Sequence, residues 1–154
     1  MGVSLTSEET VEFLRTAHTL ILSTIRKSGA PLATPLWFLY ENGCFYVSTL
    51  RKSAKMGHIR RDPRVCVLVE DGKHYLDLRA VVASCTAEVV EDRAEFDRID
   101  AAIKTKYTDF AVDFSKAGQA TQQHYQYQVI LRLVPVPGAS RSWHNRKLRF
   151  PKPS

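Results

Sequence analysis

The chain has 154 residues, 44% of them apolar and 25% charged, with a net charge of +6. Those values predict one globular domain over residues 1–154, large enough to bury a core without staples, and they exclude disordered and low-complexity classes. No run approaches the roughly 20 apolar residues of a membrane span, and the opening MGVSLTSEET has neither the basic start nor the apolar stretch of a secretory signal.

Gly2 invites a myristoylation reading, but Thr6-Ser7-Glu8-Glu9 is better explained as a capping box. It opens a helix within residues 1–17 that carries Val11, Leu14 and Ala17 on one side. Thr19 to Arg26 then reads as a strand, and Lys27-Ser28-Gly29-Ala30 as a hairpin turn. Pro31 to Glu41 is a second strand, which Pro35 confines to a sheet edge or a bulge because it lacks an N–H. Asn42-Gly43 predicts a tight type I′ hairpin into a third strand, Cys44 to Thr49.

From Ser53 to Arg61 the pattern is helical, and Asp62-Pro63 stops it. Arg64 to Glu70 is an apolar strand, and Asp71-Gly72 turns it into a long strand, Tyr75 to Val90, that bends around a barrel. A further helix runs from Arg93 to about Tyr107 and carries Phe96, Ile99, Ile103 and Tyr107 at spacings of three and four. Residues 109–124 are read as a loop and a short helix, and Tyr127 to Val134 as the last strand. Residues 138–154 form a basic tail. Strands joined mainly by tight hairpins, with few helices, predict a mainly β fold, an antiparallel barrel.

Cys44, Cys66 and Cys85 are odd in number and set in apolar runs, which predicts reduced, packed thiols and a cytoplasmic location. The five histidines have no metal-ligand spacing, so no metal is expected. The positive charge gathers in two places. Arg51, Lys52, Lys55, Arg60, Arg61 and Arg64 have only Asp62 among them, and the stretch from Arg141 to Lys152 has no acid. Concentrations of that kind point to an anion site.

The stretch Ser48-Thr49-Leu50-Arg51-Lys52-Ser53-Ala54-Lys55 ends a strand in hydroxyls and cations and opens a helix at Ser53. Helix-start N–H groups, the two hydroxyls of Thr49 and Ser53, and the charges of Arg51 and Lys55 could converge on one phosphate. The same stretch also reads as a capped helix with solvated cations.

The wider pattern resembles the pyridoxamine 5′-phosphate oxidase-like FMN-binding split barrels, and within them the small flavin- or deazaflavin-dependent oxidoreductases. The matching pieces are Gly29-x-Pro31-x-x-Thr34-Pro35-x-Trp37, Tyr46-Val47-Ser48-Thr49, Ser53-x-Lys55 and Ile59-Arg60-Arg61-Asp62-Pro63-Arg64-Val65. Leu78-Arg79, Ala87-Glu88-Val89-Val90, Ser142-Trp143 and Arg146-Lys147-Leu148 follow in the same order, so the resemblance covers almost the whole chain. It implies a split β-barrel in which Thr49, Arg51, Ser53 and Lys55 hold a cofactor phosphate. Pro35, Leu36 and Trp37 then line the tricyclic ring. The site of such folds lies at a homodimer interface, so Arg79, Trp143 and Arg146 are expected from the partner subunit. The chain departs from its relatives at His58, often asparagine, at Ala80 and Cys85, where glycines are usual, and at His144-Asn145, often an Asp-His pair.

Each residue also has a plainer reading. Trp37 can be core or interface filling, Arg79 can pair with Asp77 or Glu88, Trp143 can anchor the tail, and Tyr107 and His58 can be ordinary helix residues. The function implied is an oxidoreductase that moves a hydride to or from a small organic substrate, the cofactor carrying the hard chemistry. Coenzyme F420 is preferred over FMN because its phosphate carries an acidic extension, which Arg60, Arg61 and the C-terminal cations could meet. The alternatives are an FMN-dependent pyridoxamine 5′-phosphate oxidase, from which the chain differs by its short C-terminal segment, and a flavin or haem carrier without turnover. Nucleic-acid binding is not expected, because the basic patches lack interleaved exposed aromatics apart from Trp143 and Phe150, and no reading helix is evident.

Overall fold

The computed structural model describes residues 2–151. Seven strands form one sheet: β1 (Leu20–Ile25), β2 (Pro31–Leu36), β3 (Leu39–Glu41), β4 (Cys44–Leu50), β5 (Arg64–Asp71), β6 (Arg79–Val89) and β7 (Gln128–His144). Four helices accompany it: α1 (Ser7–Thr16), α2 (Ala54–Arg61), α3 (Arg93–Lys106) and α4 (Gln119–Tyr125). The strand order is β2-β1-β5-β6-β7-β4-β3, and every neighbouring pair is antiparallel. The mainly β fold is therefore as expected.

That order fixes the shape. β2 and β3 occupy opposite edges of the sheet, yet only Trp37 and Phe38 separate them in the chain. Three residue steps span at most about 11 Å, so the sheet must curl until its edges nearly meet. The result is a barrel with a seam, closed by a two-residue bridge.

Local chemistry accounts for the elements. The capping box at Thr6 and Glu9 is complete. Asn42 and Gly43 take φ of 51° and 76°, the paired left-handed conformation of a type I′ turn. Pro35 lies on an edge strand, where its missing N–H breaks no ladder. Alternation on β1, β5 and β6 sends Leu20, Leu22, Val65, Val67, Val69, Val81 and Ala83 inward, where Phe13 and Leu14 of α1 and Met56 and Ile59 of α2 close the ends. A second cluster packs α3, through Ile99 and Ile103, against Tyr46 and Ile130 on the opposite face of the sheet.

Four expectations are corrected. The segment Pro31 to Glu41 is two strands, because it crosses from one edge to the other at Trp37-Phe38. The long strand begins at Arg79, since Tyr75–Asp77 form a 3-10 turn. The last strand continues to His144, so most of the tail before residue 145 is sheet. Pro135, Pro137 and Gly138 mark a bulge, with the pairing jumping from Ala83↔Ser140 to Cys85↔Pro135. Gly138, at φ 73°, takes the backbone turn there. Finally, Arg79 pairs with neither Asp77 nor Glu88 but with Asp71 across the β5–β6 hairpin. Lys152 of the basic segment lies outside the described residues.

Candidate functional site

The site begins where β4 hands over to α2. Thr49 is buried near the strand end, and its hydroxyl lies 3.3 Å from that of Ser53. Ser53 occupies the N-cap position of α2, but its hydroxyl makes no capping bond and has Thr49 as its neighbour instead. No acidic residue sits in the first turn, so the positive end of the helix dipole is not offset locally. Lys55 is half-buried, and burial lowers its pKa. An anion beside it would restore the balance by favouring the charged form.

The turn between these elements is braced by the backbone. The Arg51 N–H donates to the Tyr127 carbonyl at 2.9 Å, and the Arg51 carbonyl accepts from Arg60 Nη2 at 3.1 Å. Ser48 Oγ donates to Gln128 Oε1 at 2.6 Å. On the far side, His58 Nδ1 lies 3.0 Å from the buried Thr24 hydroxyl, tying α2 to β1. His58 thus has a structural partner, which its sequence position did not reveal.

Beside this junction runs a groove of about 510 Å³ whose wall includes Arg51 and Arg60 from the α2 side, Gln128 from β7, and Glu91, Arg93 and Phe96 from around the start of α3. Three arginines and one glutamate line it, the Arg93 guanidinium being paired with Asp97 at 3.1 Å. Arg93 carried no signal in the sequence beyond opening a helix. Only the register of β6 and β7 brings that helix start beside α2.

The other candidates lie elsewhere. Pro35 and Leu36 pair with Ile21 and Leu20, and Leu20 pairs in turn with Val69. Val69 pairs with Val81 and Val81 with Ser142, so Pro35, Leu36, Trp37, Arg79 and Trp143 cluster at one end of the sheet. Thr49, Arg51, Ser53, Lys55 and Arg60 occupy the other. At about 3.3 Å per residue, the length of β2 puts roughly 13 Å between the Pro31 end and Pro35. The two groups thus stand about a strand length apart, a span of the order that separates the phosphate of a flavin-type cofactor from its ring.

At that second end Trp37 is 38% exposed and stacks flat on Tyr107, with centroids 4.4 Å apart. Arg79 makes a two-bonded pair with Asp71, at 2.7 and 2.8 Å, and lies over the Phe13 ring at 4.3 Å. Trp143 is half-buried and pairs with Ala80. Arg146 donates to Asp77 at 2.9 Å, and Lys147 to Ser4 and Glu9. Arg61 donates to the Ile25 carbonyl. Arg146, Lys147 and Arg61 are thus engaged within the subunit.

Comparison with known proteins follows the same outline. Residues 6–134 match the family model described as pyridoxamine 5′-phosphate oxidase. The chain belongs to that family. A conserved hypothetical protein of Mycobacterium tuberculosis shares this pyridoxamine 5′-phosphate oxidase-like fold with 33% identity and a TM-score of 0.79, over 97% of this chain and 91% of that one. A structure described as an F420 reductase matches at 20% identity and TM-score 0.64, over 84% and 93% of the two chains. The haem storage protein HutZ of Vibrio cholerae matches at 17% and 0.66, over 95% and 99%. The last two show the fold alone. No curated protein matches the chain. Among the described residues, no helix is long and apolar enough to cross a membrane.

Proposed function

We propose that this member of the pyridoxamine 5′-phosphate oxidase family is a cytoplasmic, homodimeric oxidoreductase that anchors a flavin-type cofactor by its phosphate at the β4–α2 junction. The observation that carries the reading is that junction itself. Two adjacent hydroxyls and a half-buried lysine lie within seven residues of a helix start whose first turn holds no acidic residue. The donor set fits a phosphate: Thr49 and Ser53 would donate hydroxyls, and Lys55 and Arg51 would supply charge. Bound there, the cofactor would supply a ring that gives or takes a hydride. The chain's own part is to bind, orient and shield that ring.

An apolar outward row of the sheet supports the dimer. A partner's Pro35–Trp37 end could complete the pocket. The outward face of β2, β1, β5 and β6 carries Pro35, Ile21, Leu68 and Val82 in one paired row across four strands. Ile21, Leu68 and Val82 are half-buried, and Pro35 is exposed. Trp143, at the same end of the sheet, is a candidate to reach the partner's ring, and Arg79 and Arg146 could do so only while shared with Asp71 and Asp77.

Coenzyme F420 is the preferred cofactor and FMN the second. The groove beyond Arg51, with Arg60 and Arg93 in its wall, suits a phosphate that continues into further negative charge. FMN ends at its phosphate and has no use for it. Lys55→Ala should leave the circular dichroism of the fold intact and weaken cofactor binding roughly tenfold or more, the worth of a charge-assisted contact. Unchanged affinity would remove the phosphate site from the account.

A further inference from the structure

The bridge Trp37-Phe38 carries the sheet from one edge to the other, and the sheet ladder does not hold it in place. The end of α3 does. The Tyr107 hydroxyl accepts from the Phe38 N–H at 2.9 Å. Its own proton is directed to the His18 carbonyl at 2.7 Å or the Phe38 carbonyl at 3.1 Å. Lys106 Nζ donates to the Phe38 carbonyl at 2.9 Å. The Tyr107 ring lies parallel to Trp37, the interplanar angle being 1°. Both polar groups of the Phe38 backbone are therefore satisfied by α3 side chains, beside a Tyr107 that is 1% exposed. A phenylalanine would fill the same volume. It would leave the Phe38 N–H without the hydroxyl that accepts from it.

We infer that Tyr107 is a positioning residue for the cofactor ring: its hydroxyl sets the Trp37-Phe38 backbone and its ring sets the plane of Trp37, and together they shape the wall that Pro35–Trp37 present. The inference rests on the cofactor reading above and goes beyond it by assigning a role to a residue on a distant helix. An unpaired buried N–H at Phe38 would relax by moving the bridge, so loss of the hydroxyl acts on the wall while leaving the phosphate junction at the other end of the sheet untouched.

The test compares the full-length native protein with Tyr107→Phe in three readouts. These are hydrogen exchange at the Phe38 amide, affinity for F420 and FMN, and affinity for inorganic phosphate measured by competition. The expected result is faster Phe38 exchange, ring-cofactor affinity lower by about tenfold with a shifted absorption band, and unchanged phosphate affinity. Unchanged ring affinity and spectrum would overturn the inference, and so would an equal loss for phosphate and ring, which marks general unfolding of the site. Lys106→Met removes the bond to the Phe38 carbonyl and the ammonium's contact with the Phe38 ring while leaving the Tyr107 hydroxyl in place, and should reproduce the selective loss in weaker form, so the test stands even if Tyr107→Phe folds poorly. A native protein that binds neither ring cofactor would defeat the cofactor reading and this role together, an outcome told apart by appearing before any substitution.

Discussion

Lys106 shows how one residue links packing to pH. Its ammonium lies over the Phe38 ring at 4.0 Å and donates to the Phe38 carbonyl at 2.9 Å. Burial outweighs those favourable contacts and lowers its pKa to about 8. The unfolded chain holds this proton into the ordinary lysine range, so above about pH 8 the unfolded state binds more protons than the folded one. Stability then rises with pH across that window. Lys106→Met should remove this rise, leaving a flatter stability–pH curve in urea titrations between pH 7.5 and 10. Curves of identical slope for the two proteins would show that Lys106 titrates as an exposed lysine.

Sequence reasoning could not have found this site. Lys106 and Tyr107 read as the end of an amphipathic helix, and their partners His18 and Phe38 stand 89 and 69 positions away from Tyr107. The proposed cradle of Thr49, Ser53 and Lys55 can be read from the sequence because it is local, within seven consecutive residues of one strand–helix junction. Arg79 shows the limit of the same logic. Its partner Asp71 was hidden by the 3-10 turn that lengthens the hairpin between them.

Among the elements, turns set by glycine were the most legible and can be ranked by what surrounds them. Gly43 has φ of 76° and open space where a Cβ would go. Gly43→Ala should therefore cost only the left-handed strain, about 1 kcal/mol. Gly72 has φ of 107°, and a Cβ there would meet the Asp77 carbonyl oxygen at 2.5 Å and its carbon at 2.6 Å, backbone that cannot swing aside. Gly72→Ala should cost about 3 kcal/mol or more and disturb the Asp71–Arg79 pair at the same hairpin. Denaturant melts of the two variants should separate clearly, and equal losses would contradict the close approach at Gly72. The bulge in β7 was the least legible element. Pro135, Pro137 and Gly138 carry the usual signs of a strand ending, but the strand resumes because Ser140 to His144 find partners on β6 that only the folded sheet supplies. The same blindness turned Pro31–Glu41 into one strand, since nothing local to Trp37-Phe38 says that the barrel closes there.

At the scale of the molecule, the two candidate groups lie at opposite ends of one curled sheet, and two subunits acting together would give each group its complement. Leu68 sits in the middle of the outward row formed with Pro35, Ile21 and Val82. Leu68→Arg places a charge on that face without entering the core, so it should yield a folded monomer by sedimentation with cofactor binding lost. A native protein that binds cofactor fully as a monomer would refute the shared site. The central claim, a phosphate-anchored ring cofactor with an acidic extension, is tested most directly by titrating the cofactor-free protein with F420 and FMN side by side and following fluorescence. The account predicts saturable binding of both, tighter for F420, with the advantage shrinking as salt is raised. Binding of neither cofactor would contradict it.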